Sequence, residues 1–188
     1  MGGSDKAFVL FHGKHLVAHA VARLRPQVAA IAVNSNREAA LFATVGVPVV
    51  ADPLPGYLGP LAGILAGMRW AESAGMAHVA SVAVDAPLFP SDLVARLAEA
   101  GGDATIAVAR SGGRLHPVFG LFPVGVADDL AAFIGRGESL RVTDWLSRHA
   151  VVPVDFAGDP GQLDPFFNIN TPADLAMAEE RPLALPQP

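Results

Sequence analysis

Three strand-like runs in this chain end at a short polar residue. Val28–Asn34 closes on Asn34, Val47–Ala51 runs into Asp52, and Val79–Val84 runs into Asp85. In open α/β sheets, ligands bind beyond the carboxyl ends of the strands, so three such endings mark one edge for chemistry. Short polar residues also stop strands and cap the next helix, and that plainer reading stands beside the functional one at each position. Asp85 favours function most, because Asp85-Ala86-Pro87 is a short, stiff exit from an apolar run. A carboxylate fixed there suits Mg²⁺, a hard cation that takes oxygen ligands and binds together with substrate phosphates. Such a metal neutralises charge on a transferring phosphoryl group and aligns the attacking oxygen. Lys6, close behind Gly2 and Gly3, offers a point charge for a phosphate chain. A glycine-serine start is equally what a fusion scar leaves.

Asn168 and Asn170 flank Ile169, so both can face one side of an extended segment. They either tie the loop through backbone hydrogen bonds or serve a ligand or metal shell. Thr171, Pro172 and Asp174 read as a capping-box variant that opens a helix. The six histidines form no H-E-x-x-H pattern, and His15 with His19 lacks a third zinc ligand. Lys14 reads as a solvated turn residue in His12-Gly13-Lys14, which turns a small hairpin before the first helix. No G-x-S-x-G elbow, Walker A lysine or G-x-G-x-x-G is present. The absence of cysteine removes disulfides, zinc-thiolate sites and thiol nucleophiles.

The elements that must hold these residues alternate between apolar runs and helical spacing, the pattern of βαβ units. Val17, Ala20, Val21 and Leu24 predict a helix closed by Arg25-Pro26, and Gly59-Pro60 opens another through Met68. A helix from Ser91 to Glu99 is expected with Ser91 as its cap, then strands at Thr105–Ala109 and Pro117–Leu121 around Ser111-Gly112-Gly113. Helices at Val126–Ile134 and Leu140–Arg148, a last strand at Val151–Phe156 and a helix from Thr171 complete the pattern. The expectation is one domain over residues 1–181 and a disordered proline-rich tail over 182–188.

With 52% hydrophobic and 16% charged residues in 188, the chain can bury a full core and is not a disordered protein. The net charge of −5 argues against a nucleic-acid partner, which needs a basic stripe. No secretory signal and no membrane-length apolar run is seen, so a cytoplasmic protein without membrane contact is expected.

The stretches MGGSDKAF, VNSNR, VVADPLPGYLGPLAGILAGM, VAVDAPLFPSDLVARL, GRLHPVFGLFP, LRVTDWL and FNINTPADLAMAE come in the order of a known family. From Met1 to about Glu180 the chain resembles the molybdenum cofactor guanylyltransferases. The resemblance implies an α/β, three-layer Rossmann-like nucleotidyltransferase fold with a mainly parallel mixed sheet. It implies transfer of GMP from Mg²⁺-GTP to Mo-molybdopterin, with pyrophosphate released, and molybdoenzymes or their chaperones as possible recipients. By the same resemblance Lys6 contacts phosphates, Asn34 and Asp52 lie in the guanosine pocket, and Asp85 binds Mg²⁺. Asn170 and Asn168 fall near the metal or pterin, while Arg114, His116 and Arg141 either meet the anionic pterin or are solvated surface. Lys6 and Asp85 are the expected catalytic pair.

In the resembled family a strand and a glycine-rich loop precede the methionine that matches Met1. The expectation is therefore that the first strand is missing, that an internal Met was taken as the start, and that the product is poorly active. Loss of about five buried apolar side chains at ~1.5–3 kcal/mol each is comparable to a whole domain's stability. Three rivals remain: a molybdopterin cytidylyltransferase, a sugar-phosphate nucleotidyltransferase of the same fold, and a non-catalytic cofactor-binding module.

Overall fold

The computed structural model describes residues 6–54, 59–137, 139–158 and 163–180. His12 and Gly13, with φ of 44° and 75°, turn the predicted hairpin between β1 (Leu10–Phe11) and β2 (Lys14–His15). Helix α1 (Leu16–Leu24) buries Leu16, Val17, Ala20, Val21 and Leu24, and a 3-10 turn holding Pro26 ends it. Strands β3 (Val33–Asn34) and β4 (Val49–Val50) pair in parallel, joined by a 3-10 segment at Ala39–Val45 that the sequence pattern does not predict. Helix α2 (Pro60–Ser73) starts with Pro60 in its first turn, as Gly59-Pro60 predicts, and β5 (His78–Ser81) follows. After α3 (Leu93–Gly101), β6 (Ile106–Ser111) and β7 (Arg114–Pro123) form a hairpin. Its two-residue turn places Gly112 and Gly113 at φ of 52° and 78°, which other residues rarely adopt. Helices α4 (Ala127–Arg136) and α5 (Val142–Leu146), strand β8 (Val151–Asp155) and helix α6 (Pro172–Glu179) complete the order.

Strands β5-β7-β6-β8 form a mixed sheet, antiparallel at β5–β7 and β6–β7 and parallel at β6–β8. Strand alternation splits the core into two faces. Ile106 and Val108 of β6 and Phe122 of β7 pack with Leu61, Leu65, Met68, Leu130 and Trp145 from α2, α4 and α5. Ala107 and Ala109, with Phe119 and Leu121, pack against Leu24, Leu93 and Leu97 from α1 and α3. Helix, sheet and helix thus make the three expected layers.

Several expected boundaries move. Helix α3 begins after Asp92 with no side-chain cap, so Ser91 is not its cap. Helix α5 stops at Leu146, where Ser147–Arg148 turns instead. Of the expected strand Val28–Asn34 only Val33–Asn34 is in a ladder, and Val82–Val84 falls outside β5. The continuous apolar run at 28–34 reads as a strand buried on both faces, yet Ala29 and Ala30 are exposed, and Val82–Val84 are half-buried. The physical cause is pairing: among the described residues β3 and β5 each have a sheet neighbour on one side only. The 182–188 tail, and with it the expected domain boundary, lies outside the described residues, as do Gly2 and Gly3. No helix among the described residues is long and apolar enough to cross a membrane.

Candidate active site

Lys6, Asp85 and Asn170 come from three distant parts of the chain and meet at one sheet edge. The Lys6 Nζ donates to Asp85 Oδ2 at 2.9 Å and also to Asn170 Oδ1. Asp85 sits in the turn beyond β5 with a side chain 21% exposed, so it is restrained but open to a ligand. Its main-chain carbonyl accepts the Ile169 N–H at 2.7 Å, which pins the asparagine segment to the strand end. Ile169 is buried while Asn168 and Asn170 are exposed, as their alternation predicts. The α6 capping box fixes the far end of that segment. Thr171 Oγ1 accepts the Asp174 N–H at 3.1 Å, and Asp174 Oδ2 accepts the N–H groups of Asn170 and Thr171 at 3.0 and 2.8 Å. Hydrogen bonding by Thr171 and the Asn170 amide holds the Asp174 carboxyl below the usual carboxylate range. A carboxylate oxygen and an amide oxygen converge here on one cation, the donor set a hard metal also uses. Among the described residues no three His, Asp or Glu side chains cluster as a metal site, so a metal here needs substrate oxygens as well.

Asn34 and Asp52 also meet, at the ends of β3 and β4. Asn34 Nδ2 donates to Asp52 Oδ1 at 2.9 Å and to the Val50 carbonyl at 3.1 Å. Asn36 is a third member that the sequence reading missed. It donates to Asp52 Oδ2 at 2.7 Å and accepts the Asp52 N–H at 2.8 Å. Its signal was present, since Asn34 and Asn36 alternate just as Asn168 and Asn170 do. A Cβ at Gly63 would lie 2.6 Å from Asn34 Oδ1, so glycine there is what lets α2 approach the cluster.

A second hollow of about 350 Å³ lies beside Asp85 and is lined by Pro60, Arg114, His116 and Asn168 among others. His116 is tethered there: its Nε2 is 2.7 Å from Ser111 Oγ, and Ser111 donates to Asp164 Oδ2 at 2.5 Å. Ser111 has one proton, so with that proton on Asp164 the His116 Nε2–H is the donor to Ser111. Burial pushes the His116 imidazole below its ordinary value, only partly opposed by Asp164. This is not a hydrolytic triad, because the carboxylate touches the serine and not the second ring nitrogen. Arg114 is exposed at the rim of the hollow. Arg141 stands apart at the N-cap of α5 and lines neither this hollow nor the larger cavity that Lys6 and Asp85 border.

Among the described residues, a lysine–aspartate pair at one sheet edge and a second polar cluster at the ends of β3 and β4 suit nucleotidyl transfer, with no activated nucleophile beside them. Residues 1–152 match the MobA-like NTP transferase domain. A molybdenum cofactor guanylyltransferase of Rhizobium meliloti (strain 1021) is 48% identical over 185 residues, covering 94% of this chain and 84% of its own. One from Cereibacter sphaeroides is 45% identical over 179 residues, covering 95% and 89%. Among solved structures, molybdopterin-guanine dinucleotide biosynthesis protein A from Archaeoglobus fulgidus shares the fold with a TM-score of 0.72 at 22% identity, covering 95% of this chain and 90% of its own. The 2-C-methyl-D-erythritol 4-phosphate cytidylyltransferase of Thermus thermophilus superposes with a TM-score of 0.65 at 22% identity, covering 93% and 92%. The chain belongs to the MobA-like NTP transferase family, with the molybdenum cofactor guanylyltransferases as its relatives.

Proposed function

We propose that this chain transfers GMP from GTP to Mo-molybdopterin, with pyrophosphate as the leaving group. The observation that carries the reading is the convergence of Lys6, Asp85 and Asn170 at the edge that also holds the Asn34–Asp52–Asn36 cluster. The relatives' names supply the substrates. Each Asp52 oxygen takes one amide proton in the structure and keeps acceptor capacity, which suits the adjacent N–H donors on the Watson–Crick edge of guanine. Lys6 is the point charge for the triphosphate, exchanging its contact with Asp85 for phosphate oxygens. The oxygens of Asp85 and Asn170 would then hold Mg²⁺, which supplies charge neutralisation at the α-phosphate. A pterin phosphate oxygen forms the new bond to the α-phosphorus in line as the bond to pyrophosphate breaks, and no covalent enzyme intermediate is needed. Asn168, His116 and Arg114 line the hollow on the acceptor side, with His116 neutral near pH 7. Arg141 has no place in this reading.

A manganese complex described for a solved structure of the same fold, with a TM-score of 0.66 at 14% identity, fits divalent-metal use in this fold. We assign the activity to the cytoplasm, with molybdoenzymes or their chaperones as recipients of the product. The test is pyrophosphate release from GTP or CTP with Mg²⁺ and Mo-molybdopterin. Release that needs GTP and is lost in Asp85→Asn supports the reading. Preference for CTP would make the chain a cytidylyltransferase, and cofactor binding without release would make it a binding module.

A further inference from the structure

The two ring nitrogens of His116 have different surroundings. Nε2 lies 2.7 Å from the hydroxyl of Ser111, itself 3% exposed, and that hydroxyl also touches Asp164 Oδ2. The other Asp164 oxygen accepts the Phe166 N–H at 2.7 Å. A carboxylate accepts and has no proton to give, so the hydroxyl proton points to Asp164 and the Ser111 oxygen takes the Nε2–H. Burial holds the imidazole toward its neutral form, with Asp164 opposing and Arg114 reinforcing it. The one proton of the neutral ring then sits on Nε2, and Nδ1 carries a bare lone pair. Among the described residues Nδ1 has no hydrogen-bond partner, and no unpartnered side-chain nitrogen or oxygen is buried. Nδ1 is therefore open to solvent, although the side chain as a whole is only 12% exposed. The ring cannot easily turn. Phe166 stacks on it with centroids 4.6 Å apart and 31° between the planes, and Phe119 meets it edge-on at 6.4 Å.

His116 borders the hollow of about 350 Å³ beside Asp85, where Asn168 and Arg114 also lie. That volume is at the lower end of small-molecule sites, roughly 300–1,000 Å³. A bare lone pair repels a phosphate oxygen and takes a hydrogen bond from an N–H group. The exposed Arg114 at the rim offers the opposite chemistry, a cation for an anion. An acceptor made of a phosphate and a pterin satisfies both, because the 2-amino-4-oxopyrimidine ring of a pterin carries N–H donors. We propose that Asp164 and Ser111 are positioning residues that keep His116 in its Nε2–H form, so that Nδ1 accepts a hydrogen bond from an N–H of the acceptor's pterin ring. Neither Ser111 nor Asp164 borders the hollow, so both act through His116. The identity of the acceptor rests on the transfer proposed above. What the relay adds is selection: a heterocycle with an N–H at this point binds, and one that offers only acceptors is turned away.

The direct measurement is ¹⁵N NMR of the whole chain labelled at histidine, which tells a protonated ring nitrogen from a bare one. His116, assigned by the loss of its signals in His116→Phe, should carry a proton on Nε2 and none on Nδ1. Asp164→Asn keeps the side chain's shape and should invert the relay. Its amide oxygen retains the Phe166 N–H, its Nδ2 donates to Ser111, and the hydroxyl proton turns to Nε2, which leaves Nδ1 protonated. The binding probe is pterin, 2-amino-4-oxopteridine, titrated with GTP present so that the base pocket is filled. Pterin should move the His116 Nδ1 signal saturably. It should also bind about three- to tenfold more tightly than 1,3-dimethyllumazine, which has the same ring system and no N–H. That preference should vanish in Asp164→Asn and in His116→Phe. In the transfer assay both variants should raise KM for Mo-molybdopterin by a similar factor and leave KM for GTP unchanged. A protonated Nδ1 in the unaltered chain, an Nδ1 signal that pterin leaves unmoved, or equal binding of the two pteridines would each overturn the proposal. A pterin preference at His116 without pyrophosphate release would support this site and overturn the transfer instead.

Discussion

Lys6 and Asp85 are 79 positions apart, yet they touch, and their separate removal tests the proposed transfer most directly. Lys6→Ala and Asp85→Asn should each lower the rate of pyrophosphate release by on the order of 10²–10³, the usual effect of deleting one preorganised electrostatic contact. Thermal midpoints should change little, because the pair is partly exposed and such pairs add little stability. Equal activity in all three proteins would remove Lys6 and Asp85 from the chemistry. Gly63 offers a second test, through space and not charge. Gly63→Ala places a Cβ 2.6 Å from Asn34 Oδ1, and overpacking of that kind costs ~1–3 kcal/mol. The strain falls on the asparagine side chain, so calorimetry should show GTP binding weakened by about tenfold. The sequence showed Asn34, Asp52 and Asp85 because strand ends are visible in a hydrophobic pattern. It carried a signal for Asn36, in its alternation with Asn34, but not for the closeness of Gly63, which depends on how α2 approaches the ends of β3 and β4.

At the level of elements, the segment after Asp164 is where local sequence and long-range contact meet. The capping box at Thr171 and Asp174 follows from residue spacing alone, and the structure has both of its reciprocal bonds. Thr171→Ala should cost about 1 kcal/mol in denaturant unfolding, the ordinary value of a lost N-cap. It should also reduce transfer, because Asp174 holds the Asn170 amide as well as that of Thr171. A stability loss with unchanged activity would mean that Asn170 is positioned by Lys6 and the Asp85 carbonyl alone. Burial also makes His19 sensitive to pH. His19 donates to the Phe11 carbonyl from a site 2% exposed, and burial lowers its pKa. A lowered folded-state value means that the folded state favours the neutral imidazole. That stability is complete above the unfolded value of about 6.5 and is lost as pH falls from there through the folded value. Melting temperature should therefore drop between pH 7 and 5, and the drop should be shallower in His19→Gln. An identical slope would assign the effect to other groups. Helices α1, α2 and α4 were legible from their apolar spacing, with errors only at the ends. The 3-10 segment at Ala39–Val45 was not, because it buries only Phe42 and repeats no period.

At the scale of the molecule, sheet pairing explains most of the difference between expected and observed strands. The runs at 28–34 and 79–84 read as strands over their whole length, the first as one buried on both faces. A ladder needs a neighbour as well as a suitable strand, and among the described residues each has one on a single side. Strand β6 is the contrast. It is flanked by β7 and β8, and Ile106, Ala107, Val108 and Ala109 are at most 1% exposed. These features set an order of opening, since local unfolding starts where few buried contacts and few paired amides hold the backbone. The Ala107 and Ala109 amides should exchange only through global unfolding, with a denaturant dependence equal to that of the whole protein. Those of Val33 and Ser35, held by one short parallel pair, should exchange through a smaller opening with a weaker denaturant dependence. That opening would carry Asn34 and Asn36 with it, so the proposed base pocket belongs to the less stable part of the fold and the β6–β7 hairpin to the most stable. GTP should then slow exchange at Val33 and Ser35 far more than at Ala107, because a ligand protects most where its pocket would otherwise open. Uniform protection across both strands would show instead that the two sheets open as one unit.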